Sequence, residues 1–307
     1  MNLAIIRLSA MGDVIHALPL FHVLRKNLRE HELLLVTHPK FAAWAGGAPF
    51  IDGILPADLA SRSGRSAALA DLRGAGLDCI MDAQGLYKSA LLAFFSGAVL
   101  RVGFSPGACR EPLSAVCYHR RIRPRGTHVI EKNLSLAAAV GCADLTLEDY
   151  RLDFLPADPD GRVKEFMAGM AGRPFVLFHP FSSRKEKDFP LESVKPLQSW
   201  LRDRGMLMAV SGGPGQEDKV RAAAEFLSVT AVPLFSVPEM AQLIRQAACL
   251  IAPDTGFLHL ADGLRKPTIS YFTHLPPERN GPYFGRGLTF WRETPDAGKM
   301  TAFIEAI

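Results

Sequence analysis

Four short segments carry glycines, hydroxyls and charged side chains directly after apolar runs, where α/β proteins commonly bind ligands. The first spans residues 9–13, between an apolar run and apolar residues at helical spacing. Gly12 permits a close approach of the backbone to a ligand, and Asp13 lies near the start of the helix, where such ligands bind. An ordinary helix N-cap is the alternative role for Asp13, because aspartate is favoured at that position.

The second segment, residues 179–190, combines several cations with Ser182 and Ser183 just beyond a predicted strand. This composition suits a phosphate, because a lysine such as Lys187 supplies a mobile positive charge and hydroxyls donate hydrogen bonds. The alternative is a solvated charged loop that binds nothing. The position at a strand end keeps both interpretations open.

The third segment, residues 211–218, places Gly212 and neighbouring glycines before Glu217 at the start of a predicted helix. Glycines allow the backbone to approach a ligand, and an acidic side chain can accept hydrogen bonds from ribose hydroxyls. Glu217 and Asp218 equally suit the first turn of a helix, where they complement the helix dipole. The chain has no G-x-G-x-x-G motif at its first strand and helix, which argues against a dinucleotide fingerprint there.

The fourth segment, residues 252–260, resembles a strand end followed by a helix start. Thr255 and Gly256 would present backbone N–H groups at the helix N-terminus, which is a natural place for a pyrophosphate. Asp254 can cap the same helix, and His259 can be an ordinary core histidine on its inner face. The segment is therefore a candidate anion site.

Strand-like runs alternate with helical spacings along the chain, and this alternation predicts the scaffold that positions the four segments. It is typical of parallel sheets covered by helices on both faces. A Pro- and Gly-containing stretch predicts two Rossmann-like domains, residues 1–157 and 158–307. Two such domains facing each other would place the carboxyl ends of both sheets around one cleft. Strands are expected within residues 3–8, 33–36, 79–81, 100–103, 175–179, 206–210, 250–252 and 268–272.

The composition is that of a folded protein of ordinary charge. Apolar residues make up 48% of the chain, and the net charge of +4 is too small to indicate a nucleic-acid partner. The five cysteines include no C-x-x-C pair, which favours a reducing compartment and no zinc. The N-terminus lacks the features of a signal peptide, and no apolar stretch is long enough to span a membrane. Any membrane contact is therefore expected to be peripheral.

Five motifs, in order along the chain, resemble glycosyltransferase family 9 and specifically the heptosyltransferase I family. They are S-x-M-G-D-V-x-H-x-L-P at residues 9–19, D-x-Q-G-L-x-K-S at 82–89, R-E-P-L at 110–113, a phosphate-binding loop at 182–190 and D-T-G-x-x-H-L at 254–260. The resemblance implies a GT-B fold. Its N-terminal domain would bind a Kdo-lipid A acceptor, and its C-terminal domain would bind the donor ADP-L-glycero-β-D-manno-heptose. The transfer would invert the anomeric centre.

The resemblance also implies a role for each matching residue. Asp13 would be the general base that takes the proton from the acceptor hydroxyl, and Lys187 would stabilise charge on the departing diphosphate. The other donor-binding residues would be Ser182, Ser183, Gly212, Glu217, Asp254, Thr255, Gly256 and His259. The acceptor-binding residues would be Met11, Gly12, Arg62, Arg65, Lys88 and Arg110. The implied enzyme uses no cofactor and no metal, and it works as a peripheral protein on the cytoplasmic face of the inner membrane.

Two segments depart from the family pattern and keep other functions open. Residues 273–279 read T-H-L-P-P-E-R where the family has a Gly-Pro-Thr-like segment, and residues 56–66 are short for an acceptor loop. Transfer of a second heptose or of a different nucleotide-activated sugar is therefore the nearest alternative. A GT-B nucleotide-sugar epimerase, which needs no acceptor, and a non-catalytic nucleotide-sugar-binding module are more distant ones.

Overall fold

The computed structural model describes residues 1–155 and 160–307, which form two compact units, Met1–Tyr150 and Arg151–Ile307. The predicted boundary between residues 157 and 158 lies outside the described residues and stays a prediction. Within the described parts of the chain, each unit contains one six-stranded sheet in which all strands are parallel. The predicted α/β class is thereby confirmed.

The sheet of the first unit consists of β1 (Asn2–Ile6), β2 (Glu32–Thr37), β3 (Gly53–Pro56), β4 (Cys79–Asp82), β5 (Leu100–Phe104) and β6 (Arg120–Ile122). Its strand order is β3-β2-β1-β4-β5-β6. The order reverses between β1 and β4, and at such a switch point the loops after the two strands leave a crevice for a ligand. The loops that follow β1 and β4 therefore meet where this fold forms sites.

The helices of the first unit are α1 (Met11–Ile15), α2 (Leu18–Asn27), α3 (Pro39–Ala45), α4 (Arg62–Gly74), α5 (Tyr87–Phe95) and α6 (Val129–Leu134), with 3-10 helices at Pro106–Ala108, Pro112–Cys117 and Ser135–Val140. The apolar residues at helical spacing that follow residue 13 belong to two helices, α1 and α2. Pro19 lies in the first turn of α2, and a proline has no N–H to continue the preceding helix.

The sheet of the second unit consists of β7 (Phe175–Phe178), β8 (Leu207–Val210), β9 (Thr230–Ala231), β10 (Cys249–Pro253), β11 (Thr268–Phe272) and β12 (Gly287–Trp291). Its strand order, β12-β11-β10-β7-β8-β9, repeats that of the first unit. The switch point here lies between β7 and β10. The loops after β7 and β10 are the second and fourth segments singled out in the sequence.

The helices of the second unit are α7 (Arg162–Gly169), α8 (Lys195–Asp203), α9 (Glu217–Leu227), α10 (Val237–Gln246), α11 (Gly256–Gly263), α12 (Pro277–Asn280) and α13 (Ala297–Glu305), with 3-10 helices at Lys185–Lys187 and Leu191–Val194. The central strands β7 and β10 are buried along their whole length, so they fix the loops that follow them. None of the helices in the described residues has the length and apolar character of a membrane span.

Candidate active site

The switch point of the first unit holds Asp13 in a defined position. One carboxylate oxygen of Asp13 lies 2.6 Å from the Arg7 guanidinium, and the other accepts a hydrogen bond of 3.0 Å from the backbone N–H of Ala10. Arg7 is buried and also donates to the carbonyl of Ala83, in the loop after β4. The Asp13 side chain remains 43% exposed, so an oriented carboxylate is accessible at the crevice of this unit.

Residues of the D-x-Q-G-L-x-K-S motif support the segment that carries Asp13. Asp82 is completely buried and accepts hydrogen bonds from the Tyr118 hydroxyl at 2.7 Å and from the backbone of Gln84 at 2.8 Å. Burial raises the pKa of Asp82, and these hydrogen bonds oppose that rise. The Gln84 side chain in turn accepts from the backbone N–H of Leu8 at 2.8 Å. This bond across the switch point fixes the start of the Asp13 loop, a role that sequence reasoning did not assign.

The residues predicted to bind the acceptor all lie in the first unit, where they belong to different elements. Lys88 in the first turn of α5 and Arg110 are exposed. Arg62 is the exposed first residue of α4, and the Arg65 guanidinium donates to the carbonyl of Leu59 at 2.9 Å. Met11 begins α1, and Gly12 is buried inside that helix, so it forms no tight turn of its own.

The switch point of the second unit joins a cation to a carboxylate. Lys187 Nζ lies 2.9 Å from Asp254 Oδ2, across the gap between the loops after β7 and β10. Both side chains are largely buried. Because the lysine ammonium has three donors, it can hold Asp254 and still donate to a ligand. The pairing brings together two residues that the sequence placed 67 positions apart.

Asp254 is held by a second set of contacts. Its Oδ1 atom accepts from Asn280 Nδ2 at 2.9 Å and lies 3.4 Å from His259 Nε2. Burial opposes ionisation of Asp254, but the hydrogen bonds and charges of His259 and Lys187 outweigh it and lower the pKa to about 2. Asn280 ends α12, just beyond the segment that departs from the family pattern, and no sequence motif indicates its role.

The fourth segment begins a helix, although Asp254 does not cap it. Thr255 is the N-cap residue of α11, and Asp254 is turned instead to Lys187, Asn280 and His259. This corrects the capping role considered for Asp254. The first N–H groups of α11 have no partner within the helix, as at any helix start. The Thr255 hydroxyl is also buried without a hydrogen-bond partner among the described residues.

The second segment is fixed by its own hydrogen bonds. The Ser182 hydroxyl is buried and bonds the backbone of Arg184, and the Ser182 N–H donates to Asp188 at 2.7 Å. Ser183 is exposed. The Gln216 side chain donates to the Ser182 carbonyl at 3.1 Å and accepts from the Gly213 N–H at 2.8 Å. Ser182 therefore shapes this loop and ties it to the third segment.

A pocket of about 260 Å³ opens beside the third segment. Gly212 and the first turn of α9 form one side, and the residues that follow β9 form the other. Glu217 is the exposed first residue of α9 and lines the pocket. Its contact with a ribose stays a prediction. Sequence reasoning missed the opposite wall, because its residues carry no charge or motif. The lining residues are Gly212, Gly213, Glu217, Val220, Arg221, Ala231, Val232, Pro233 and Leu234.

We expect Glu217→Ala to weaken ADP binding by about tenfold, because a hydrogen bond to a charged group contributes roughly 1.5 kcal/mol or more. Glu225→Ala removes an exposed acid two turns further along α9, outside the pocket, and should leave ADP affinity unchanged. Titration calorimetry with ADP measures both. Equal affinities in the two variants would exclude Glu217 from the nucleotide site.

His179 is held at the start of the second segment by contacts with two neighbouring segments. It is buried directly after β7, its Nδ1 lies 3.1 Å from the Ser211 hydroxyl, and its ring packs edge to face against Phe257. Burial lowers the pKa of His179 to about 4. The imidazole is therefore neutral in the folded protein at neutral pH, and it connects the ends of β7 and β8.

The lowered pKa of His179 predicts a loss of stability in acid. Below about pH 6.5 the unfolded chain binds a proton that folded His179 does not take up until about pH 4, so stability falls as pH drops through that window. Between pH 7 and about pH 4.5, the free energy of unfolding should fall by roughly 2–3 kcal/mol more in wild type than in His179→Asn. Urea unfolding at both pH values tests this. The control His274→Asn removes an exposed histidine and should lose as much stability in acid as wild type does. An equal loss in His179→Asn would contradict the interpretation.

Comparisons with known proteins identify a family and related structures for this chain. The family model of glycosyltransferase family 9 (heptosyltransferase) matches residues 65–302. Lipopolysaccharide heptosyltransferase 1 of Escherichia coli K12 is 26% identical over 92% of this chain and 91% of its own length. The solved structure of the E. coli heptosyltransferase WaaC with ADP superposes with a TM-score of 0.84 at 23% identity, covering 100% of this chain and 99% of that one. The structure of the same E. coli protein with ADP-2-deoxy-2-fluoro heptose superposes with a TM-score of 0.81 at 22% identity. It covers 100% of this chain and 99% of that one. These structural similarities confirm the predicted GT-B fold class.

Proposed function

The chain belongs to glycosyltransferase family 9, and from that premise we propose that it transfers L-glycero-D-manno-heptose from ADP-heptose to the Kdo of Kdo-lipid A. The family match confirms the predicted family membership and the prediction that the protein is a glycosyltransferase. The E. coli relatives are named as heptosyltransferases, and one solved structure holds ADP and another an ADP-heptose analogue. The observation that carries the proposal is the Lys187–Asp254 pair at the switch point of the second unit, beside the start of α11.

The donor would occupy the second unit. The pocket beside Glu217 has room for a nucleoside, and Ser182 and Gln216 connect its glycine turn to the loop that carries Lys187. The diphosphate would then meet Lys187, the Ser183 hydroxyl and the N–H groups of Thr255 and Gly256 at the start of α11. Asp254 and His259 would hold Lys187 in place and contact the sugar. This arrangement concentrates positive charge where the leaving group develops negative charge.

The acceptor would be activated by Asp13 in the first unit. In an inverting transfer the acceptor oxygen attacks the anomeric carbon, the bond to the diphosphate oxygen breaks, and the hydroxyl proton passes to the base. Arg7 and the Ala10 N–H orient the Asp13 carboxylate while leaving it accessible. Met11 and Gly12 would contact the sugar that is attacked. Exposed Arg62, Arg65, Lys88 and Arg110 would bind the anionic groups of the acceptor at the cytoplasmic face of the inner membrane.

The proposal assigns to Lys187 and the start of α11 the charge stabilisation that a divalent metal gives other transferases. We therefore expect the transfer rate to stay within about twofold when the purified enzyme is assayed with EDTA, since no step uses a metal. A rate measured with EDTA and then with added magnesium decides this. A large loss that magnesium restores would contradict the metal-free mechanism.

The donor and acceptor are tested with a panel of substrates. Turnover is measured with ADP-heptose and other nucleotide sugars, each offered with Kdo-lipid A and with an acceptor that already carries one heptose. We expect ADP-heptose with Kdo-lipid A to be used best. Preference for the heptosylated acceptor or another donor would favour the second-heptose alternative, which residues 273–279 keep open. Product formed without any acceptor would indicate an epimerase, and ADP binding with no product would indicate a binding module.

A further inference from the structure

The first unit exposes a continuous run of large apolar side chains on α5. Tyr87, Leu91, Phe94 and Phe95 recur at intervals that place them on one face of the helix, and each is about half exposed. The opposite side of α5 is buried against the rest of the unit and consists of Ser89, Ala90, Leu92 and Ala93. The outward side of α5 therefore carries four large apolar side chains beside a single charged one, Lys88, which is unusual for a helix that faces water.

The 3-10 helix Pro112–Cys117 widens this surface. It packs beside α5, and its Glu111 neighbour accepts a hydrogen bond from the Tyr87 N–H. Leu113 and Val116 project from it with 68% and 69% of their surfaces exposed. We call these six residues the apolar face: Tyr87, Leu91, Phe94, Phe95, Leu113 and Val116.

Arginines are fixed around the apolar face by hydrogen bonds to the end of α5 and to the 3-10 helix Pro112–Cys117. Arg73 donates to the Phe95 carbonyl at 3.0 Å, Arg101 to the Cys117 carbonyl at 2.9 Å, and Arg121 to the Ala115 carbonyl at 2.9 Å. The Arg101 guanidinium also lies 5.2 Å from the centre of the Phe94 ring. The cations are thus held beside the apolar side chains.

The same part of the sequence carries the excess positive charge of the protein. Residues 86–125 contain seven Lys or Arg residues and one acid, Glu111, so their net charge exceeds the +4 of the whole chain. Glu111 is engaged by the Tyr87 N–H. An apolar surface rimmed by cations complements the interface of an anionic lipid bilayer, where acyl chains lie beneath negative headgroups.

We propose that the apolar face and its arginine rim dock the first unit onto an anionic phospholipid bilayer. Tyr87, Phe94 and Phe95 enter the headgroup region, as aromatic side chains do at membrane interfaces, and the arginines bind lipid phosphates. Docking needs neither the sugar donor nor the glycolipid acceptor, so it goes beyond the proposed transfer. If the proposed acceptor site is also right, docking holds Lys88 and Arg110 at the headgroups that surround the acceptor.

The test is cosedimentation of the full-length protein with vesicles that contain no glycolipid. Wild type should bind vesicles of phosphatidylcholine with phosphatidylglycerol at least tenfold more tightly than vesicles of phosphatidylcholine alone, and raised salt should weaken the binding. Arg101→Gln with Arg121→Gln should weaken it about 25-fold, since each cation near an anionic surface contributes about fivefold. Leu113→Ser with Val116→Ser should weaken it by about tenfold or more.

Matched pairs from elsewhere on the protein are the controls. Arg173→Gln with Arg202→Gln removes two exposed arginines of the second unit, and Leu145→Ser with Phe226→Ser removes two exposed apolar side chains outside the face. Both pairs should bind vesicles like wild type. Melting curves and ADP affinity establish that every variant is folded.

Three results would overturn the proposal. One is wild-type protein that does not bind the anionic vesicles, and another is folded face variants that bind them as wild type does. The third is self-association of the wild type through this face, seen by analytical ultracentrifugation as dimers that the face variants lose, with vesicle binding unchanged. Sugar transfer enters none of these measurements, so a failure here is distinct from a failure of the proposed function.

Discussion

Replacing Asp13 by asparagine should give a folded protein that binds ADP but transfers sugar about 10²- to 10⁴-fold more slowly. Asparagine has the same shape and can still accept the hydrogen bond from the Ala10 N–H, which Asp13 accepts at 3.0 Å. It cannot take a proton from the acceptor hydroxyl. The Asp13 side of the lost ion pair is 43% exposed but Arg7 is buried, so the free energy of unfolding should fall by roughly 1–3 kcal/mol.

Asp52 provides a matched control for Asp13 within the same unit. Its side chain is also 43% exposed, pairs with Arg25 and accepts a backbone hydrogen bond, from Leu33 at 2.7 Å. Asp52→Asn should therefore cost similar stability and leave transfer unchanged. The rates are measured at saturating donor and acceptor. Turnover by Asp13→Asn within about threefold of wild type would show that Asp13 only accepts the Ala10 N–H in the first turn of α1, whose N-cap residue is Ala10.

The second large effect is expected at Lys187. Lys187→Gln keeps a hydrogen-bond donor for Asp254 but removes the charge that would face the departing diphosphate. The transfer rate should fall about 10²- to 10³-fold, as when one stabilising group of a developing anion is lost. ADP affinity should fall by about tenfold, because a charge-assisted hydrogen bond becomes a neutral one. Stability should drop by roughly 2 kcal/mol, since Asp254 loses its ion-pair partner.

Lys185 lies two residues away in the same 3-10 helix and is exposed. Lys185→Gln removes the same charge from the same loop without touching Asp254, so rate and affinity should stay near wild type. Rapid-quench assays of transfer and calorimetry with ADP separate the two lysines. If both variants lost activity equally, the loop would act through its general charge. If Lys187→Gln lost only stability, Lys187 would be structural.

The fold was largely predictable because its signals are local. Buried parallel strands read as short apolar runs, and the strongest of them, β1, β7, β10 and β11, were all expected near their observed positions. The strands missed were the four edge strands, β3, β6, β9 and β12. Their residues are only partly buried, so they lack the continuous apolar pattern of central strands.

The sequence predicted those members of the candidate site whose residue type is itself reactive or charged. Lys187, Asp254 and Glu217 were singled out because charge beside a strand end is visible in a sequence. Their pairing was not, since the contact between the loops after β7 and β10 depends on strand order. Asn280 and the wall of the pocket at Pro233 and Leu234 were missed for the same reason. No motif or charge marks these residues in the sequence, and only the folded chain shows that they lie at the site.

The central claim is tested most directly by the mass of the acceptor. Kdo-lipid A is incubated with ADP-heptose and the wild-type protein, and the lipid is then measured by mass spectrometry. We predict an increase of one heptose unit, which requires the donor and is absent with Asp13→Asn. An unchanged acceptor mass, in the presence of folded wild-type protein that binds ADP, would contradict the proposed transfer.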